Sequence, residues 1–508
     1  MLPLRHFNAL KSHAPMSESK STSIGSKLKE VGSHSIIYGL GSMAQSAAGL
    51  LLLPILTGAL SKDDFGVYSM IVMASTIASA VFYLGITSAL PRSYFDYASN
   101  EDRRAVFTTA FIILALGAVI QTLLGYYFGS TISKLLVRNS SYGDAVAWAF
   151  LGSSMGFINQ YFFNYLRILR KSISSVVFSL ISFIATIGLT LLLLHELPGS
   201  LIAPFQAIVC SQIIVMIIIL IMYGKTAFIF KFKRNEVSKL VLFGGPIVVA
   251  SFGLMIIDSV DRIIIERTLT LADVGAYSAV LKVAALINVL MIVPFTQIWS
   301  PMMMEYRSHS NIKDLFSRVL SVFLIVGGII LVGAALFAAE ILSLLIQSGV
   351  NSAMISSFLI ITLGTLIYGT TNILAAGLFY ERKVFQSTYI YCSVATLKIG
   401  VSLLLIPLFG ITGAAASTLF AYILIPVGIY ALARRYFSFN IDWRKLFVLG
   451  MICFLPIIYG LVFSEKYHFD FSVRLTWFTL TLYLIFLNCF SKDERIGIKK
   501  MLSYRIVK

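Results

Sequence analysis

Apolar residues fill this chain in blocks of about twenty, and few of those blocks hold a charge. A bilayer hydrocarbon core of roughly 30 Å needs about 20 such residues per helix. By that measure fourteen segments can cross a membrane: 35–60, 65–90, 105–129, 144–166, 172–195, 200–223, 240–265, 274–298, 314–339, 352–379, 384–408, 411–433, 446–463 and 472–490. Segments nine and ten are long enough to tilt or to continue past the membrane. Soluble domains carry about 25% charged residues, whereas this chain has 12% charged and 58% hydrophobic residues. The pattern reads as an all-α polytopic membrane protein of about 14 transmembrane helices. Residues 1–34 are polar, rich in Ser and Lys, and lack the early apolar stretch of a signal peptide. They read as a disordered cytoplasmic tail.

Lys and Arg fix the orientation. The N-terminal tail belongs with loops holding Arg92/Arg103/Arg104, Arg167/Arg170/Lys171, Lys225/Lys231/Lys233/Arg234/Lys239 and Arg307/Lys313/Arg318. Arg382/Lys383, Arg434/Arg435/Arg444/Lys445 and the basic tail 491–508 continue that set. The alternate loops hold only Lys62, Lys134, Arg138, Arg262, Arg267, Lys466 and Arg474. An asymmetry of about thirty to seven places both termini in the cytoplasm, in a multi-pass protein of the cytoplasmic (inner) membrane. The formal charge of +17 is therefore a topology signal and not a nucleic-acid footprint.

An internal repeat divides the chain. Leu60–Ser69 reads LSKDDFGVYS and Leu269–Ser278 reads LTLADVGAYS, each between two apolar segments. Asp followed by Gly suits a tight turn and the next Tyr an interfacial anchor, so the motif reads as the tip of a helical hairpin. The repeat unit is six helices. Six is even, so the halves enter the membrane with the same polarity and form a parallel repeat. Pro91 and Pro301, and Asn164 and Asn372, extend the match. The expected organisation is a six-helix lobe at 35–223, a cytoplasmic linker at 224–239, a second six-helix lobe at 240–433 and two additional helices within 434–490.

A charge at mid-membrane costs at least about 2.5–3.5 kcal/mol on insertion scales, so each one needs a reason. Lys398 lies some ten residues from the outer end of its segment, about 15 Å at the helical rise, too far to snorkel. It reads either as a cationic site in a wet cavity, attracting phosphate, or as half of a buried structural pair. Lys282 and Asp258 lie at similar depth on neighbouring segments, which suits an ion pair or a ligand site. Asp258, Asp261 and Arg262 share one helix face, and Arg262 either snorkels or grips phosphate at the outer mouth. The first lobe offers only neutral groups: Ser42, Gln45, Ser46, Asn159, Gln160 and Asn164. The position matching Lys398 falls near Ile187. A neutral wall suits sugar hydroxyls and a cationic wall suits phosphate, although Gln45 and Asn159 could equally cement helix contacts. Arg92, Arg167 and Arg170 stand at the inner mouth. Catalytic residues and metal ligands are not expected: the four Cys and six His form no metal-spaced cluster, and GxxxxGK[ST] is absent.

TGALSKDDFGVYSM, ALPRSYFDY, IDSVDRIIIERTLTLADVGAYSAVLKVAAL, TQIWSPMMMEYR and LLIPLFGITGAAASTLFAYIL resemble the polysaccharide transporter, or O-antigen flippase, branch of the MATE-like (MOP) superfamily. The resemblance implies two six-helix lobes around a cavity that opens alternately to either side. It also implies a substrate, an undecaprenyl-pyrophosphate-linked oligosaccharide repeat unit flipped for O-antigen or similar glycans, with no covalent step. Polysaccharide polymerases and glycosyltransferases are the expected partners. No cofactor is implied, and a coupling ion, H+ or Na+, is not legible. Lipid II flippases and MATE exporters share the fold, so fold alone does not choose among them. Buried lysines argue against an exporter of organic cations, the first segment has no basic residue of the lipid II type, and short outer loops argue against a glycan polymerase.

Overall fold

In the computed structural model, residues 50–83, 85–309, 311–381, 383, 385–463 and 470–489 are described, and their regular structure is helical throughout. In chain order the helices are α1 (Leu50–Ala59), α2 (Lys62–Phe82), α3 (Ile86–Phe95), α4 (Asn100–Val137), α5 (Gly143–Ile168), α6 (Ser172–Glu196) and α7 (Ala203–Ala227). The second half contains α8 (Arg234–Thr268), α9 (Leu271–Ile287), α10 (Val293–Glu305), α11 (Ile312–Leu336), α12 (Ala338–Leu345), α13 (Ser352–Gly369), α14 (Thr371–Leu374) and α15 (Ala376–Tyr380). It closes with α16 (Gln386–Ala433), α17 (Trp443–Ile458) and α18 (Phe471–Cys489). A π-helical turn, Asn288–Ile292, joins α9 to α10.

Among the described residues, ten helices are long and apolar enough to cross a membrane. The expected segments include four more. The first is α1, whose described residues, Leu50–Ala59, are fewer than a span needs. The second arises because α16 is two helices: Gly410 has φ 60° and ψ −140°, a conformation suited to glycine, and the chain folds back there. The third and fourth are α5 and α8, with 26 and 35 residues. Both have the length; α5 falls short in hydropathy because it holds Asn159, Gln160 and Asn164, whereas the sequence of α8 carries an uncharged apolar run from 240 to 257.

The linker is shorter than expected from the boundaries 224–239. Helix α7 runs to Ala227 and α8 begins at Arg234, so only 228–233 is non-helical. Hydropathy marks where a helix leaves the bilayer, not where its hydrogen bonding stops. The first turns of α8 are held by the first lobe: Tyr97 donates to Glu236 at 2.9 Å, and Leu240 is buried among residues of α3, α4 and α5.

The repeated motif does form the tips of two hairpins, but its Asp, Gly and Tyr play other parts than the turn chemistry suggested. Ser61 caps α2, accepting from the Asp64 amide at 3.1 Å and donating to its carboxylate at 2.6 Å. Thr270 and Asp273 form a full capping box on α9. The Asp is thus the third helical residue, and the Gly lies inside the first turns. Gly66 and Gly275 face each other across the lobe boundary, with a Cβ on Gly66 clashing with the Leu271 carbonyl and one on Gly275 lying 2.7 Å from that of Lys62. Tyr68 and Tyr277 are buried, not interfacial. Backbone approach, permitted by small residues, joins the lobes here.

One apolar core runs through both lobes at this end, from Leu56, Tyr68 and Phe205 to Ile265, Tyr277 and Phe358. Glu266 reinforces it, between Arg138 of α4's end at 3.4 Å and Arg267 at 3.1 Å. Toward the basic end the core divides, with one cluster around Phe107 and Tyr161 and others around Trp299 and Ile425. Helices α17 and α18 pack on α11, where Arg474 donates to the Leu336 carbonyl at 3.1 Å and pairs with Glu340.

Candidate functional site

Asp261 is the best-satisfied carboxylate of the second lobe. It is 1% exposed and pairs with Lys398, 0% exposed, at 2.8 Å. One carboxylate oxygen accepts from Ser402 at 2.8 Å and Ser417 at 3.2 Å, the other from Tyr277 and Thr418, both at 2.8 Å. Lys398 also donates to the Ile257 carbonyl and, at 3.0 Å, to Thr418. The fold at Gly410 is what brings Lys398 and Ser402 beside Ser417 and Thr418. A buried pair holds only when its remaining lone pairs and protons are met, as they are here.

This corrects one expectation. Lys398 does not face a wet cavity; all three donors of its ammonium are taken by the protein, which leaves it the structural role of the two the sequence admits. A second correction concerns Lys282. Among the described residues it makes no ion pair with Asp258. It lies over the rings of Phe65 and Tyr68, 5.7 and 5.6 Å from their centroids. The reason is helix phase: Lys282 is seven residues after Gly275 and so shares the face of α9 that packs on α2.

Asp258 and Arg262 line a cavity of about 240 Å³ together with Asp261, Asn288, Thr365 and Tyr422. Asp258 accepts from Tyr422 at 3.1 Å, and Tyr422 stacks on Tyr368 with centroids 5.0 Å apart. Arg262 forms no ion pair among the described residues, and its Nε is buried without a hydrogen-bond partner. Hence the second lobe presents one satisfied ion pair and, beside it, charges that are not neutralised.

The first lobe holds a larger cavity, about 400 Å³, lined by Ser75, Thr76, Trp148, Ser153, Phe157, Gln160, Phe205 and Gln212. Asn159 does not line it. Its amide donates to the Gln212 backbone and side-chain oxygens at 2.8 and 2.7 Å, cementing α5 to α7, and its own Oδ1 is unpartnered. Asn164 accepts from Arg167 at 3.4 Å near the basic end. Tyr68 stacks on Phe205, a lining residue of this cavity, at 4.8 Å and carries Lys282 over its ring.

At the basic end, exposed Arg92 lines a cleft of about 290 Å³ with Ser93, Asp96 and Lys239. Arg167 and Arg170 are exposed there as well, Arg170 with φ 58° in the α5–α6 turn. Glu101 beside Lys231 holds that ammonium above the usual lysine range. Gln45, with Ser42 and Ser46, lies outside the described residues. Sequence reasoning missed Tyr277, Thr418 and Tyr422, whose hydroxyls are no rarity in apolar helices. It also missed Gln121 and Gln212, which amid long apolar runs carried a visible signal. Gln121 ties α4 to Ser79 at 2.8 Å and Ser153 at 2.7 Å.

Comparison with known proteins agrees with this architecture. The solved lipid II flippase MurJ in an inward closed conformation is similar with a TM-score of 0.69 and 14% identity, covering 93% of this chain and 100% of that one. An inward-facing multidrug resistance MATE transporter of the MOP superfamily is similar at 0.65 and 12% identity, over 79% of this chain and 97% of that one. A MOP superfamily transporter from Pyrococcus furiosus, described as having a binding pocket of reverse polarity, gives 0.59 and 11% identity over 82% and 98%. No curated protein matches by sequence. The family model described as Polysaccharide biosynthesis protein matches residues 31–307, more than half of the chain. This multi-pass membrane protein, with a MurJ- and MATE-like fold, belongs to the polysaccharide biosynthesis protein family.

Proposed function

We propose that the chain is a flippase for polyprenyl-diphosphate-linked oligosaccharides, moving undecaprenyl-linked repeat units of O-antigen or a related glycan outward across the cytoplasmic membrane. The observation that carries this reading is the placement of Arg262 and Lys282. Two cations sit near the lobe boundary without a carboxylate partner among the described residues. Such groups are costly in a membrane unless a ligand supplies the counter-charge, and a diphosphate supplies it twice. The neutral, aromatic and amide-lined cavity of the first lobe suits sugars, whose hydroxyls pair with amides and whose apolar faces pack on rings.

The excess of Lys and Arg on alternate loops supports cytoplasmic termini, with Arg92, Arg167 and Arg170 on the side from which a lipid diphosphate would enter. The lobes rock about the site with no covalent step: the joined Gly66–Gly275 end opens as the basic end closes. Outward movement of an anion is favoured by about 2.3 kcal/mol per charge per 100 mV, which supplies a driving force without a dedicated ion site. Polymerases and glycosyltransferases acting on the same lipid-linked sugar are the natural partners. Lys398 is removed from the list of phosphate ligands, because its ammonium is fully engaged.

Complementation tests this. In a host lacking its own flippase for the glycan, Arg262→Gln and Lys282→Gln are expected to abolish surface glycan at normal membrane levels. Normal glycan with both substitutions combined contradicts the reading.

A further inference from the structure

Asp258 and Arg262 stand four residues apart on α8, the spacing at which opposite charges ordinarily pair on a helix. They do not pair. No nitrogen–oxygen distance within 4.0 Å joins them, although both line the same cavity. Asp258 accepts one hydrogen bond, from Tyr422 at 3.1 Å, while a carboxylate has about four acceptor positions. Arg262 keeps a buried Nε–H without a partner. Asn288 also lines this cavity and opens the π-helical turn Asn288–Ile292, an irregularity that is frequent at functional sites. Tyr422, backed by Tyr368, adds an aromatic wall.

The cavity thus has a cationic end and, one helical turn away, an end that accepts hydrogen bonds. One turn is about 5.4 Å, of the order of a single pyranose ring. Its volume of about 240 Å³ is below the roughly 300–1,000 Å³ of ordinary small-ligand pockets, too small for an oligosaccharide. We propose that this cavity reads the first sugar of the substrate, the one bonded directly to the diphosphate. Arg262 holds the adjoining phosphate, Asp258 and Asn288 take the ring hydroxyls, and Tyr422 orients Asp258 while packing on the ring. The remaining sugars extend to the first-lobe cavity. This rests on the flippase reading and adds to it a selectivity: the attached hexose, not the diphosphate alone, is recognised in the second lobe.

The test uses the full chain in detergent with three probes: farnesyl diphosphate and its glucosyl and N-acetylglucosaminyl conjugates. Wild-type protein should bind at least one conjugate more tightly than farnesyl diphosphate. Asp258→Asn should erase that preference, weakening the conjugate about tenfold and leaving farnesyl diphosphate unchanged. Arg262→Gln should weaken all three. Should Asp258→Asn fail to fold, Tyr422→Phe, which removes only the orienting hydroxyl, should reduce the preference in the same direction. A wild type that gains nothing from either sugar, or a preference untouched by the variants, overturns the subsite while leaving diphosphate recognition standing. A wild type that binds none of the probes overturns the flippase reading and the subsite together.

Discussion

In the first lobe the polar groups deep in the bundle are amides and hydroxyls: Gln121 on Ser79 and Ser153, Asn159 on Gln212. In the second lobe the corresponding depth holds Asp258, Asp261, Arg262, Lys282 and Lys398. The lobes share a repeated hairpin and six-helix spacing, yet they solve burial differently. An amide carries no net charge, so burying it costs less even where, as at Asn159, one of its atoms lacks a partner. A carboxylate needs a cation and several donors, which Asp261 obtains from two parts of α16 and from Tyr277 of α9. The contrast also sharpens what counts as a site. Charge in the second lobe is of two kinds, satisfied at Asp261–Lys398 and unsatisfied at Arg262 and Lys282, and only the second kind has capacity left for a ligand.

The largest expected effect tests that distinction. Lys398→Met leaves Asp261 buried without its cation and should cost about 3–5 kcal/mol of stability. Thermal unfolding in detergent should show a loss that Asp261→Asn, combined with it, largely recovers. A stable Lys398→Met protein that has merely lost transport would instead return Lys398 to the substrate.

Next comes the glycine contact between the lobes. Gly66→Val and Gly275→Val each drive a side chain into the opposite backbone, and overpacking of this kind costs about 1–3 kcal/mol. The closer approach at Gly66 predicts the larger loss there and a smaller one at Gly275, with a control at Gly188, which has no neighbour within 4 Å of an added Cβ. Losses no greater than that of Gly188→Val, measured by unfolding, would mean that the two backbones do not rest on each other here.

In the neutral lobe, Asn159→Ala removes donors to Gln212 and should cost about 1–2 kcal/mol, less than the charged pair. A loss equal to that of Lys398→Met would erase the contrast between the lobes.

The smallest effect lies outside the membrane. The hydrogen bond to Glu101 raises the pKa of Lys231 above the ordinary lysine value of 10.5. A raised lysine stabilises the folded state below its unfolded pKa and loses that contribution only as pH rises through the folded value. Glu101→Gln should therefore flatten a pH dependence of stability above about 10.5 and change little at neutral pH. A marked effect at pH 7 would show that the pair does more than dock the linker on α4.

Much of the fold was legible because the bilayer imposes length and hydropathy on every helix, and the loop charges impose an order. The Ser61 and Thr270 caps were written in the repeat as well, although a turn reading of Asp and Gly obscured them. The partners of Lys398 were not legible. They depend on the fold at Gly410, which returns residues 417 and 418 to the level of 398 and 402, and on α8 packing against both. Lys282 lay between these cases: its seven-residue distance from Gly275 placed it on the α2 side, but only once the Gly66–Gly275 contact identified that side.

The central claim is that the second lobe holds the anionic part of the substrate at Arg262 and Lys282. Calorimetric binding of inorganic pyrophosphate to the purified full chain tests it most directly. The account predicts saturable, salt-sensitive binding that the combined Arg262→Gln and Lys282→Gln variant loses and a first-lobe Gln160→Leu variant retains. Binding that survives the double substitution, or is lost with Gln160→Leu instead, would contradict it.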